Sequence, residues 1–237
     1  MTGAGMRSTS FHHMLRAVAL CAGLGLGSAA QAQAPAEAPK AEQPGAAARP
    51  GAPVAQYDLL LPGPLPENVM GAADAPVTIV EYASLTCPHC AVFHTKSLPA
   101  LKKDYIDAGK VRFIFRDFPF DGVAMAGTMI SRCAAPDKFF TLTSTLFERQ
   151  DKWAFSKDPE AELTAIAKEF GFTQESFDTC LQNQTLYDGV MKVRQRAHEV
   201  FKVDSTPTLF INGAPHRGVL SPEQMDAVLK PLLAEKK

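Results

Sequence analysis

At 237 residues, the chain is long enough for one domain with a substantial core plus appendages. Its 24 Lys and Arg nearly balance 25 Asp and Glu, for a formal net charge of -1, and 46% of the residues are hydrophobic. Nucleic-acid binding requires a basic stripe, and none is present, so no nucleic-acid partner is expected.

The N-terminus reads as an export signal. Arg7 and Arg16 supply positive charge, and an apolar run of small residues follows from Ala17 to Gly27. That run has the length of a signal-peptide core and is too short to span a bilayer. Ala30-Gln31-Ala32 offers the small-x-small pattern for cleavage, so residues 1–32 are expected to be removed after Ala32. Cys21 follows Leu20, where a lipoprotein signal needs a small residue, which argues against a lipid anchor. Without the signal, five cysteines become four: Cys87, Cys90, Cys133 and Cys180. An even count in an exported protein is what two disulfides would leave.

Residues 33–55 are rich in Ala, Pro, Gly and Glu and have little to bury, so a disordered tether is expected there. Pro35, Pro39, Pro44, Pro50 and Pro53 would interrupt the heptads of an oligomerisation arm, which points to a monomer. The folded domain is expected over 56–237. Residues 76–82 read as a strand by β-branched content, ending just before the cysteines. Cys87 can cap a helix with Pro88 at its first position, where proline is tolerated best. Ser97-Leu98-Pro99 should kink that helix, which ends near Gly109, and residues 111–115 form a second strand. Strand, helix, strand makes a parallel βαβ unit.

Residues 121–200 then turn helical. Met125, Met129 and Cys133 recur every four residues, Leu163, Ile166 and Phe170 mark a second helix, and Phe177, Cys180 and Leu181 a third. A longer helix carries Tyr187, Met191 and Val200. Residues 208–211 return to strand, Asn212-Gly213 turns the chain, and a further strand is expected near 218–220. Ser221-Pro222-Glu223-Gln224 is a capping box that opens a last helix, with Met225, Val228, Leu229, Leu232 and Leu233 as its apolar stripe.

The stretch Cys87-Pro88-His89-Cys90 carries the chemistry. Haem attachment needs a histidine after the second cysteine, and Ala91 stands there. Cys87, Cys90 and His94 offer three metal ligands, but a structural zinc site wants four and no second Cys-x-x-Cys pair exists, so no metal is expected. His94 is read instead as a solvated or half-buried helix residue. A helix start directly after a strand gives Cys87 unsatisfied backbone N–H groups that favour its thiolate, which makes a reactive pair rather than a static bridge. Cys90, one turn in, would be the resolving thiol.

A Cys-Pro-His-Cys helix start after a strand, a later Thr206-Pro207 before another strand, and a helical block between them resemble the DsbA-like thiol–disulfide oxidoreductases of bacterial periplasms. The resemblance runs from about Tyr57 to the C-terminus. It implies an α/β thioredoxin-like fold with an inserted helical domain of about 80 residues, spanning 121–200. It implies that Cys87 is the exposed nucleophile, that no cofactor is needed beyond a Cys87–Cys90 disulfide, and that Thr206-Pro207 is a cis-proline loop holding substrate. A cis bond is accessible only to an X-Pro pair at modest cost. Clients would be unfolded or reduced exported proteins, and a DsbB-like membrane partner would reoxidise the pair in the periplasm.

Glu81 stands out because strand alternation places it with Val77 and Ile79, where a carboxylate is costly. It lies six residues before Cys87, where family members carry a buried acid, and is read as the proton acceptor for Cys90. The alternative is a strand-end acid reaching solvent. His89, as a cation near the Cys87 sulfur, would favour thiolate further and make the disulfide oxidising. Cys133 and Cys180 sit on apolar helix faces; free core thiols are one reading, and a structural disulfide is expected in an oxidising compartment. The rivals to an oxidase are a disulfide isomerase or reductase and a periplasmic metal carrier.

Overall fold

The computed structural model describes residues 49–50 and 54–235. The expected signal peptide and residues 33–48 of the expected tether lie outside the described residues. The last part of that tether is not free of the domain, however. Arg49–Pro50 forms a short strand β1, and Val54 donates its N–H to the Gly213 carbonyl at 2.9 Å. Packing therefore begins upstream of Tyr57, which is itself exposed.

The sheet comprises β1, β2 (Asn68–Met70), β3 (Val77–Ala83), β4 (Val111–Asp117), β5 (Thr208–Ile211) and β6 (Ala214–Arg217). Its order is β1-β6-β5-β3-β4-β2, with β3 and β4 parallel and every other pair antiparallel. The final strand lies at Ala214–Arg217 rather than near 218–220, because a two-residue turn at Asn212-Gly213 starts the return at once. Both turn residues have positive φ, 46° and 86°, as a tight hairpin matched to strand twist requires. A Cβ at Gly213 would stand 2.4 Å from the Val54 carbonyl oxygen, so glycine also admits the docked N-terminal segment. Asn212 fixes the turn to β3 by accepting the Thr78 N–H at Oδ1.

A helix α1 (Gln56–Leu60) precedes β2, and the active-site helix begins as α2 (Pro88–Val92). It continues through a π-helical turn at Phe93–Ser97, α3 (Leu98–Leu101) and a second π-helical turn at Lys102–Ile106. Pro99 has no N–H and would crowd the carbonyl four residues back, and the wider π turn lies just before it. Between β4 and β5 run α4 (Gly122–Cys133), α5 (Phe139–Glu148), α6 (Gln150–Trp153), α7 (Pro159–Glu169), α8 (Gln174–Leu181) and α9 (Gln184–Glu199). The chain closes with α10 (Pro222–Ala234), whose Ser221–Gln224 capping box is fully formed. This is the α/β thioredoxin-like architecture with added helices that the sequence implied.

Strand alternation splits the core. Val77, Ile79 and Ala83 face the active-site helix and the helical block, while Val80 and Tyr82 face α1 and α9. The buried residues of α9 are Gly189, Val190, Val193 and Ala197, and Met191 is half-buried against the core. Small residues form this contact because α9 packs closely: a Cβ on Gly189 would fall 2.5 Å from Leu65 Cδ2. Tyr187 and Val200 are exposed.

Candidate active site

The site forms where the end of β3 meets the start of α2 and the loop before β5. Cys87 has extended backbone angles, φ -84° and ψ 117°, and occupies the N-cap with Pro88 next to it; at 6% exposed it is buried beside the loop before β5, not the exposed nucleophile that was expected. Its thiol donates to the Thr206 carbonyl at 3.3 Å, across 119 residues of sequence, and the Thr206–Pro207 bond is cis. The Cys87 thiol is lowered to about 6. The largest cause is a hydrogen bond from the Cys90 thiol, opposed by burial and supported by Thr206 and by the backbone N–H groups of Cys90 and His89. The Thr206 hydroxyl is buried and has no hydrogen-bond partner.

Cys90 is fully buried, and burial pushes its thiol well up, with the Cys87 sulfur and the Glu81 charge adding to the effect. The two thiols are thus driven apart, one towards thiolate and one towards thiol. Both are reduced here. Pro88 and His89 are exposed. What His89 brings to the sulfur is its backbone N–H, rather than the imidazole on which the sequence reading relied.

Glu81 is fully buried under this site. Its Oε2 lies 2.9 Å from His94 Nε2, and its Oε1 has no hydrogen-bond partner. This corrects the reading of His94 as solvated or half-buried: it is 5% exposed, stacked on Phe147 with ring centroids 4.1 Å apart, and set edge-on to Phe93 and Phe115. The residue offered as a third metal ligand is therefore turned towards a carboxylate. No group of three or more His, Cys, Asp or Glu able to hold a metal ion occurs among the described residues.

Two residues of the helical block reach the site without having been singled out. Gln150 is buried and donates from Nε2 to the carbonyls of Leu85 at 2.7 Å and Cys87 at 3.1 Å. Gly127 lies where a Cβ would stand 2.8 Å from the Trp153 ring and 3.0 Å from Leu85 Cδ1. Both lack a sequence signal, since Gln150 sits in the polar run Glu148-Arg149-Gln150-Asp151-Lys152 and Gly127 in a helix with no turn to mark. Farther away, Cys133 and Cys180 are joined as a disulfide between α4 and α8. Cys180 is buried, whereas Cys133 ends α4 in an exposed position rather than on an apolar face.

Residues 65–231 match the family described as Thioredoxin. The chain belongs to the thioredoxin family. Among solved structures, this thioredoxin-family protein resembles Wolbachia pipientis alpha-DsbA1, with TM-score 0.70 and 29% identity over 77% of this chain and 97% of that one. It also resembles BdbD of Bacillus subtilis, with TM-score 0.58 and 25% identity over 79% and 99% of the two chains. In sequence it is 32% identical over 148 residues to a Rickettsia typhi protein described as a candidate protein-disulfide oxidoreductase. That match covers 62% of this chain and 55% of the relative, so the chain spans about half the length of its Rickettsia relative. Disulfide bond formation protein D of Bacillus subtilis is 30% identical over 154 residues, which are 62% of this chain and 68% of that protein.

Proposed function

We propose that this protein is a thiol–disulfide oxidase that introduces disulfides into exported proteins through Cys87 and Cys90. The split between the two thiols supports this direction: that of Cys87 is lowered from 9.0 to about 6 beside the Thr206 carbonyl at the N-cap of α2, while that of buried Cys90 is raised. Stabilising the thiolate stabilises the reduced protein, and a stable reduced form makes its disulfide an oxidant. Three pH units correspond to about 4 kcal/mol, or about 90 mV for two electrons. That is enough to separate an oxidising pair from an unperturbed one.

In the reaction, a client thiolate attacks Cys87 Sγ of the oxidised pair. A Cys87–client disulfide forms, the Cys87–Cys90 bond breaks, and the electron pair goes to Cys90 Sγ, which takes up a proton because its thiolate is disfavoured by burial. A second client thiolate then attacks the client sulfur, releasing Cys87 as a stabilised thiolate. The client is oxidised by two electrons and the pair is reduced. In this reading Glu81 exchanges the Cys90 proton, and the cis Thr206–Pro207 loop holds the client backbone beside Cys87. A DsbB-like membrane partner reoxidises the pair, and the periplasm is the compartment in which such a cycle runs.

Two measurements test this reading. The equilibrium of the Cys87–Cys90 pair against glutathione should favour the reduced pair far more than a thioredoxin-like dithiol would. Alkylation of Cys87 against pH should have its midpoint near 6; a midpoint near 8 would remove the mechanism. An isomerase would also require assembly, so a stable dimer or trimer in solution would favour that activity instead.

A further inference from the structure

We propose that Gln150 is a positioning residue for Cys87, through which the helical block sets the aim of the active-site helix. This rests on the oxidase reading above but is tested separately from it. The Cys87 side chain makes no capping hydrogen bond, so the placement of its sulfur over the first turn of α2 depends on its backbone and on its bond to the Thr206 carbonyl. That backbone is a tight turn in which the Cys87 N–H bonds the Ser84 carbonyl at 3.0 Å. Gln150 Nε2 reaches into this turn and holds the two carbonyls that flank Thr86, those of Leu85 and Cys87.

The Cys87 carbonyl is already the acceptor of the first helical bond, from the Ala91 N–H at 3.1 Å. With Gln150, both lone pairs of that oxygen are engaged, which fixes the Cys87–Pro88 peptide plane. That peptide leads into the first turn of α2, whose His89 and Cys90 N–H groups help to lower the Cys87 thiol. A single amide nitrogen with two protons is needed to bond two carbonyls at once. Glutamate has no donor when ionised, and methionine has none at all. Because Gln150 is 4% exposed, water is not at hand to replace it if it is removed.

The second link between α6 and this turn is apolar. Trp153 and Leu85 both crowd the open face of Gly127, so the block grips the turn by a side chain as well as by its carbonyls. Thr86 adds a third connection by donating to Asp121, the N-cap of α4, at 2.8 Å. Of these contacts, only that of Gln150 acts on the carbonyl of the nucleophilic residue itself.

The test compares the full chain with Gln150→Met, which keeps length and packing but removes the donors, and with Gln150→Asn, which keeps the amide but withdraws it. Folding is monitored by circular dichroism and thermal unfolding. In folded Gln150→Met, the midpoint of Cys87 alkylation should move up by about one pH unit, and the glutathione equilibrium should fall about tenfold in oxidising strength. Gln150→Asn should move both in the same direction. An alkylation profile that superimposes on wild type in a folded variant overturns the inference, and so does failure of both variants to fold, which would make Gln150 structural. Alkylation needs no client, so this result stands apart from whether the wild-type chain oxidises reduced peptides.

Discussion

Glu81 and His94 form a closed pair: Oε2 and Nε2 are 2.9 Å apart, with side chains 0% and 1% exposed. Removing one partner of a buried pair leaves the other without compensation, typically at a cost of 3–5 kcal/mol. His94→Ala also loses the stack on Phe147, so its urea-unfolding stability should fall by about 3 kcal/mol or more. A loss below about 1 kcal/mol would show that the pair contributes little.

Glu81→Gln keeps shape and a hydrogen-bonding partner for His94 but removes the carboxylate below Cys90. The fold should survive, while formation of the Cys87–Cys90 disulfide by a small disulfide oxidant should slow several-fold at neutral pH. Rapid-mixing measurements of the rate against pH would check this, and an unchanged profile would take Glu81 out of the proton-transfer step.

The stability of the reduced protein should depend on pH through Cys87. Its folded value of about 6 lies below the ordinary 9.0, so the folded state favours the thiolate more than the unfolded state does. This contribution is present in full above pH 9 and is lost as pH falls through 6. Between those limits the reduced form should gain about 1.4 kcal/mol per pH unit over the oxidised form, approaching about 4 kcal/mol in all. The raised Cys90 thiol acts in the opposite sense only above pH 9, where an unfolded thiol would ionise and the folded one does not. Denaturation of both redox forms at pH 5, 7 and 9 measures it; parallel curves would contradict the assignment.

The Cys133–Cys180 bridge closes a separation of 47 residues. In the chain-entropy description a loop of that size is worth about 4 kcal/mol. The double variant Cys133→Ala, Cys180→Ala should therefore unfold at lower denaturant by about 2–4 kcal/mol of stability. Equal midpoints would show that the bridge is energetically idle.

Gly127→Ala tests the closeness of the block to the active-site turn. The added methyl would meet Trp153 and Leu85 Cδ1 at 2.8 and 3.0 Å, and overpacking of this kind costs about 1–3 kcal/mol. Thermal unfolding reads the loss. A gain in stability, as expected for an alanine in an open helix position, would mean that the contact relaxes freely.

Much of the scaffold was legible because it is local. The β-branched run of β3, proline after Cys87, Asn212-Gly213 and the Ser221 capping box each act within a few residues, and each appears where its chemistry places it. The burial of Glu81 followed from alternation along one strand. His94 was misread because its environment comes from β4 and α5, whose Phe115 and Phe147 are remote in sequence. Gln150 was invisible for a related reason: a polar residue among charged ones reads as surface, and its two acceptors are over 60 residues away. The short β2 and the pairing of Arg49–Pro50 with β6 depend on edges offered by other strands, which no local pattern announces.

The contact from Cys87 to Thr206 spans 119 residues, with the helical block lying between them in sequence. A chain made from its N-terminus presents Cys87 before Thr206 has been added to meet it. During that interval the cysteine is an ordinary thiol, without its carbonyl acceptor, its braced turn or its buried partner. Reactivity is thus the last property the molecule acquires, and synthesis order itself keeps an unfinished chain from presenting an activated thiol to its own neighbours.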